Sequence, residues 1–302
     1  MELLYHTLVA TTLVSTPLLL AAMGGLINRQ GGIVNIGLEA KMLAGAFAAV
    51  LVTSLTGSPL LGVLAAVLAG ALVALPFTLA ITRLGANEII AGLGLNILVA
   101  GLLGYLLPVA FGVRGTFRPE GLERLPRLHL PLVGDLPGIG PVLSGKDPIT
   151  YLAWIAVPLT ALFLYRTVWG LRLRASGSDI EAARAAGVAG YRWRDISTVI
   201  AGALAGLGGA QLSIGIVALF GVGMTAGRGF IALAAFYFGA ARPWPTAAAA
   251  LLFGFFDAAQ VRLQGQGVPA QLVQMLPYLV VVAALTIVAI IRTRREGAVL
   301  VS

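Results

Sequence analysis

The sequence contains no cysteine, two histidines, and two lysines among its 20 basic residues. The first absence excludes a disulfide framework, a thiolate metal site and a cysteine nucleophile. The histidines, His6 and His129, stand far apart, one terminal and one in a polar stretch, without metal-site spacing. No cofactor or hydrolytic centre is expected. Charge is scarce too: 11% of residues are charged, against about 25% in ordinary soluble domains. That leaves no room for a soluble domain. The net charge of +8 comes from arginines at the ends of apolar runs, where they set topology, so nucleic acid is not an expected partner.

What is abundant is apolar surface, at 59% of residues. Apolar segments of about 20 residues recur along the whole length, as in spanning helices. The pattern predicts an all-α polytopic membrane helix bundle with nine to ten transmembrane helices in one domain, residues 1–302. The candidate spans are Leu8–Ile27, Ile33–Thr56, Leu60–Thr82, Ile89–Gly112, Pro148–Tyr165, Ile196–Phe220, a short Phe230–Ala241, Pro245–Val261 and Leu272–Ile291. A tenth arises if the second run is two pieces. Met1–Thr7 carries Glu2 and His6 but no basic residue, so a cleavable signal peptide is not expected.

The arginines set the orientation. Arg166, Arg172, Arg174, Arg184, Arg192 and Arg194 fall in residues 166–195, and Arg292, Arg294 and Arg295 in the tail. Both segments are expected on the cytoplasmic side, with the C-terminus, and residues 113–147 outside. That outer loop fits the rule less well, because Arg114, Arg118, Arg124, Arg127 and Lys146 are offset only by acids. Glycines at 202, 206, 208, 209, 223 and 227 give small faces for close helix approach. Asn96–Gly101 and Ile200–Gly206 faintly echo one another, a hint of two related halves.

One stretch, Asn28 to Lys41, puts Asn35, Glu39 and Lys41 in a glycine-rich setting between two apolar runs. A charge at membrane depth costs about 2.5–3.5 kcal/mol on insertion scales and usually faces protein or water. The stretch is either a broken, re-entrant segment beside a translocation route or a cytoplasmic turn with snorkelling side chains. With Arg29 at the cytoplasmic side, Glu39 and Lys41 are expected to be less deeply buried, in a structural or gating role. Asn35 is the better candidate for lining a path.

Other polar residues inside apolar runs are Asn87, Glu88, Asn96, Gln211, Ser213, Asp257, Gln260 and Arg262. Each either bonds a neighbouring helix or lines a path for an uncharged solute. Asp257 is expected to pair with Arg262 or a neighbouring helix. Gly140–Lys146 fits the first seven places of a phosphate-binding loop, but Asp147 stands where Ser or Thr should hold magnesium and no strand precedes it. It does not bind ATP. In the 166–195 loop, Ser178-Asp179-Ile180-Glu181 reads as a capping box opening a helix over Asp179–Ala186, with Gly187 as its C′ residue. Ile180 and Ala183 share one face. The helix is either slim enough for a groove on a partner or a solvated connector.

Gly31-Gly32-Ile33-Val34-Asn35-Ile36-Gly37-Leu38-Glu39-Ala40-Lys41-Met42-Leu43-Ala44-Gly45-Ala46-Phe47 resembles the GG-x-x-NIGLEG-x-ML-x-GA signature of ABC importer permeases of the branched-chain amino acid, ribose and nucleoside superfamily. It is closest to the nucleoside and simple-sugar subgroup. Leu171-Arg172-Leu173-Arg174-Ala175-Ser176-Gly177 through Ala182-Ala183 to Gly187 resembles the family's cytoplasmic loop. Gly202–Ala210 and Phe230–Ala235 are similar to runs that follow it. Ala40 departs from the usual glycine, and Arg242-Pro243-Trp244-Pro245 from the usual turn.

The resemblance implies a permease subunit of the bacterial inner membrane, without chemistry or cofactor, forming the path for a nucleoside or similar small polar solute. Its implied partners are a second, often non-identical permease, two cytoplasmic ATP-binding-cassette ATPase subunits, and an external substrate-binding protein or lipoprotein. Arg172, Arg174, Gly177, Asp179, Glu181, Ala182, Ala183 and Gly187 would couple the ATPase to the spans. Asn35, Asn87, Glu88, Asn96 and Gln211 are the path candidates, and Glu39, Lys41 and Asp257 the gating or structural ones. The alternative is a secondary transporter driven by an ion gradient through Glu39, Glu88 or Asp257. A membrane enzyme lacks a cluster of catalytic groups.

Overall fold

The computed structural model describes residues 2–129, 131–134 and 140–263, with the single positions 275, 279, 282, 283 and 286. Outside the described residues lie most of the Leu272–Ile291 run and the tail arginines Arg292, Arg294 and Arg295. The chain runs through α1 (Glu2–Gln30), α2 (Leu38–Thr56), α3 (Pro59–Thr82) and α4 (Glu88–Phe111), then strand β1 (Thr116–Phe117). Two single-turn helices, α5 (Pro131–Gly134) and α6 (Gly140–Leu143), precede α7 (Pro148–Arg166), α8 (Val168–Ser178) and α9 (Ile180–Ala185). After α10 (Gly190–Ala210) come a π-helical segment (Gln211–Val217), β2 (Phe220–Gly221), α11 (Arg228–Phe238) and α12 (Pro243–Leu263). Among the described residues six helices are long and apolar enough to cross a membrane: α1, α2, α3, α4, α7, and α10 continued by its π-helical segment. The protein is an all-α, multi-pass membrane bundle.

Local chemistry sets the helix limits. Gly57 and Gly112 close α2 and α4 in the left-handed region, with φ of 69° at each, where glycine carries no Cβ penalty. Asn87, Asp147, Thr167 and Asp179 begin α4, α7, α8 and α9 by accepting backbone N–H groups of the first turn.

Two sequence expectations need correction here. The second span begins at Leu38 rather than Ile33, because residues 31–37 leave the helix, and it then runs unbroken to Thr56. Ser178 is not a cap: it closes α8, and Asp179 caps α9 through Glu181 N–H at 2.9 Å and Ala182 N–H at 3.0 Å. Aspartate outcompetes serine because its carboxylate accepts two amides at once, with charge favourable at a helix N-terminus. Glu181 pairs with Arg184 instead of reaching back. The far end closes as expected. Gly187 (φ 77°) sends its N–H to Arg184 O, and Val188 sends its N–H to Ala183 O, a Schellman arrangement.

α10 is the central post. A Cβ on Gly206 would fall on the Ala66 carbonyl of α3, one on Gly202 on the Gly70 carbonyl, and one on Gly209 on the Met42 carbonyl of α2. Small residues thus let three backbones touch, the close approach that holds helices together where lipid supplies no hydrophobic drive. At the arginine-rich end of the bundle, Asp195 of α10 accepts from Thr78 and Thr82 of α3 at 2.7 and 2.8 Å and from Arg83 at 2.9 Å. α1, α2 and α3 all lie against the post, and α3 and α4 turn most of their remaining surface outward.

Candidate functional site

Two interruptions in the helices meet inside the bundle. The first is residues 31–37. After α1 ends at Gln30, Gly32 turns the chain at φ 84°, and the backbone doubles back so that Leu38 lies beside Gly25 of α1. Five residues separate Gly25 from the helix end, so α2 starts about 7–8 Å inside the bundle at about 1.5 Å rise per residue. The second interruption follows α10, where the π-helical segment gives way at Ala218 (φ 53°). Phe220–Gly221 then pairs antiparallel with Thr116–Phe117, and Gly227 (φ 76°) opens α11. The 11 residues of α11 span about 17 Å, roughly half of a hydrocarbon core of about 30 Å.

Glu39 joins the two half-turned chains. One carboxylate oxygen accepts Gly227 N–H at 2.8 Å and the other Gly229 N–H at 2.7 Å. The starts of α2 and α11 therefore touch backbone to backbone. Helix N-termini carry partial positive charge from unpaired N–H groups, so one carboxylate between two of them is charge-balanced. Arg228, in the same turn, is bound by Asp257 of α12 at 2.8 and 3.2 Å. Asp257 thus pairs with a neighbouring helix, one of the two options the sequence left, while the Arg262 side chain lies outside the described residues.

The turn itself is held on every side. Asn96 of α4 donates to Ile36 O at 3.1 Å and accepts Ala40 N–H at 3.0 Å. Glu88 accepts the Val34 N–H. Beneath lies a sealed polar chain: Lys41 Nζ donates to Asn35 Oδ1 at 2.6 Å, Asn35 Nδ2 to Asn28 Oδ1 at 2.8 Å, and Asn28 Nδ2 to Ser197 and Thr198 at 3.0 Å. The Lys41 ammonium also sits 4.1 Å from the centre of the Phe77 ring, a cation–π contact. Asn28, Asn35 and Lys41 are all 0% exposed. The expectation of a less buried Lys41 is corrected on this point, since the re-entrant turn carries it back into the core.

The other candidates occupy distinct places. Asn87 caps α4 at Ile89 and Ile90 and is exposed. Gln211, fully buried at the start of the π-helical segment, donates to Asp147 Oδ2 at 2.8 Å, while its carbonyl oxygen has no partner among the described residues. Asp147 also caps α7 through Thr150. Next to it, burial pushes the Lys146 ammonium below the ordinary lysine value; Arg127 adds to this and Asp147 opposes it. Glu39, Glu88 and Asp257, any one of which a gradient-driven carrier could use, are each engaged by protein donors.

The 166–195 segment reaches this junction through one residue that sequence reasoning singled out for another reason. A Cβ on Gly177, in the last turn of α8, would fall on Gln30 O and lie 2.7 Å from Gly32 N. On the other side of the same turn, Gly31 faces Leu173 of α8 and Ser197 of α10. α9 follows directly. Within it Ile180 packs on Gly190 and Ala183 is 4% exposed, while Ala182, Ala185 and Ala186 face outward. Arg174 lies over the Tyr165 ring at 5.2 Å, and Arg172 is exposed. Asn28, Gly229 and Arg228 were not among the sequence candidates. Gly229 is one of 39 glycines, and its role depends on a partner 190 residues away.

The sequence matches the family described as branched-chain amino acid transport system / permease component over residues 7–285. It is 34% identical over 296 residues to a nucleoside ABC transporter permease protein of Lactococcus lactis, covering 94% of this chain and 92% of that protein. A guanosine ABC transporter permease protein of Bacillus subtilis is 34% identical over 291 residues, 92% of this chain and 90% of its own length. A putative glucose ABC transporter permease protein of Haloferax volcanii is 36% identical over 259 residues, 84% of this chain and 77% of its own. The Lactococcus and Haloferax organisms each have a second permease protein that is also similar, named for the same kind of solute. No solved structure matches.

Proposed function

This chain belongs to the family of branched-chain amino acid transport system permease components, and on that footing we propose that it forms the path for a nucleoside or a similar small polar solute. It is a transport component, and ATP hydrolysis belongs to a separate subunit. The observation that carries the nucleoside reading is that two relatives named for nucleosides align with 94% and 92% of the chain. The glucose-named relative keeps simple sugars next in line.

In the proposed assembly this subunit pairs with a second, non-identical permease, as the two-permease systems among its relatives suggest. Two ATPase subunits sit on the cytoplasmic face and an external binding protein delivers the solute. The membrane is the bacterial inner membrane, with residues 166–195 and the C-terminus on the cytoplasmic side. α9 is the coupling helix, and Gly177 passes its movement to the 31–37 turn. From there Glu39 carries it to α11. In this reading Asn35, Asn87, Glu88, Asn96 and Gln211 hold the walls of the path, Gln211 being fully buried with a carbonyl oxygen that has no partner among the described residues. Broken helices that meet inside the bundle are how transporters place such sites.

The test is uptake by the assembled importer, competed with nucleosides, nucleobases, pentoses, glucose and branched-chain amino acids. Competition by nucleosides is expected. Competition by amino acids alone would reject the reading.

A further inference from the structure

Arg192, Ile196, Ile200 and Leu204 recur every four residues along α10, a spacing that stacks side chains on one helix face. Two cavities lie along this stripe. The first, about 330 Å3, is at the arginine-rich end and is lined by Arg172 of α8 with Arg192, Trp193 and Ile196 of α10. The second, about 200 Å3, is bounded by Ile200 and Leu204, by Leu159 and Phe163 of α7, and by Ile27 of α1, with no charged side chain. α7 and α10 are both of membrane-spanning length, and Leu159 is 56% exposed, so the apolar cavity faces hydrocarbon.

The charges in the first cavity are uncompensated. Arg83, Arg184 and Arg228 have carboxylate partners, and Arg29 and Arg174 lie over tyrosine rings. Among the described residues Arg172 and Arg192 have no such partner, yet they line one pocket. Guanidinium groups match phosphate oxygens in shape and charge. Tryptophan prefers the membrane–water boundary, which fits Trp193 in the pocket and Trp169, 62% exposed on α8. A cationic pocket ending at Ile196, one helical turn along the same face from an apolar groove that begins at Ile200, has the chemistry of a phospholipid, with head at one end and chain at the other.

The geometry points to a site for an anionic phospholipid, its phosphate held by Arg172 and Arg192 and one acyl chain lying along Ile196, Ile200 and Leu204. The site is independent of which solute is carried. It bears on coupling, because Arg172 is on the helix whose last turn, at Gly177, rests against the 30–32 turn. Lipid in the pocket would steady that helix.

The purified importer, ATPase subunits included, is released from detergent in native mass spectrometry after exposure to equal amounts of phosphatidylglycerol and phosphatidylcholine of identical chains. Wild type should retain phosphatidylglycerol preferentially. Retention should fall several-fold in Arg192→Gln, further in the Arg172→Gln/Arg192→Gln pair, and also in Ile200→Trp, which fills the groove and leaves the charges in place. Soluble glycerol phosphate should not displace the lipid. Equal retention of both lipids, or unchanged retention in the charge variants with unaltered melting temperature, would overturn the site. So would displacement by glycerol phosphate, which marks a free-anion pocket, or retention only after the ATPase subunits are stripped away, which marks a face they cover.

Discussion

Glu39 accepts the Gly229 N–H at 2.7 Å, and a Cβ on Gly229 would lie 2.5 Å from the Glu39 nitrogen. The acid and the glycine are two halves of one joint. The acid balances the N-terminal dipoles of α2 and α11, and the missing side chain lets those two helices meet. Glu39→Gln keeps a carbonyl acceptor but loses the charge, and a hydrogen bond to a charged group contributes roughly 1.5–3 kcal/mol. Gly229→Ala instead forces the backbones apart, at about 1–3 kcal/mol for an overpacked contact. Both variants should melt at lower temperature in detergent and transport more slowly. If Gly229→Ala melts and transports like wild type, the joint is not closed in the membrane.

Gly177 lets α8 meet the 30–32 turn with no side chain between them. Gly177→Val should push the turn away while leaving the exposed face of α9 untouched. The expected result is an importer that still assembles with its ATPase subunits but whose solute-stimulated hydrolysis falls roughly tenfold, equivalent to about 1.4 kcal/mol of lost coupling. Co-purification read beside hydrolysis separates this from failed assembly. Full stimulation in Gly177→Val would remove the proposed route from α9 to the junction.

Much of this was legible in the sequence. Apolar run length announced α3, α4 and α7 to within a residue at each end, because a polar residue precedes each helix, whereas α1 (Glu2–Gln30) runs past the expected Leu8–Ile27 at both ends. The Asn28–Lys41 stretch was recognisable as an anomaly. Its direction was not, since a turn that exits the membrane and one that re-enters it have the same composition. Placing Arg29 at the boundary made Lys41 look shallow, when Gly32 had reversed the chain and carried it inward. The Glu39–Gly229 joint was invisible for a different reason: neither α2 nor α11 announces a partner so distant in the chain. The cap at Asp179 was missed because Ser178 and Asp179 are both good caps, and only the end of α8 decides between them.

Lys146 sets a pH dependence that the loop between α4 and α7 should show on its own. Its ammonium is pushed below the usual value of 10.5 by burial first and Arg127 second. With the folded value below the unfolded one, the unfolded chain binds more protons in the window between them, so stability rises with pH there. Melting temperature should climb as pH is raised through the alkaline range toward the ordinary lysine value. Lys146→Met should remove most of that rise and gain stability at neutral pH, because methionine needs no solvation of charge. A Lys146→Met protein whose melting curve tracks wild type across the range would show the ammonium to be well solvated. The Nζ donation to Val9 O at 3.1 Å is lost in the variant, which sets a small offset in the opposite direction at every pH.

α9 offers a cleaner separation of folding from docking, because its alanines divide between two faces. Ala183 is 4% exposed and shares its face with Ile180 on Gly190, so Ala183→Trp overfills a packed site at about 1–3 kcal/mol. It should lower the melting temperature of the isolated subunit before any partner is present. Ala182 and Ala186 point outward, and the slim surface they make with Ala185 is what a groove on another protein could receive. Ala182→Trp should leave the isolated subunit's melting temperature unchanged, within the ±0.5 kcal/mol or so usual for surface substitutions, and still abolish co-purification of the ATPase. The Asp179 cap and the Gly187 closure hold the helix in place in both variants, so the difference reads out the face alone. If Ala182→Trp retains the ATPase, α9 is a connector that no partner grips, and coupling must enter the bundle elsewhere.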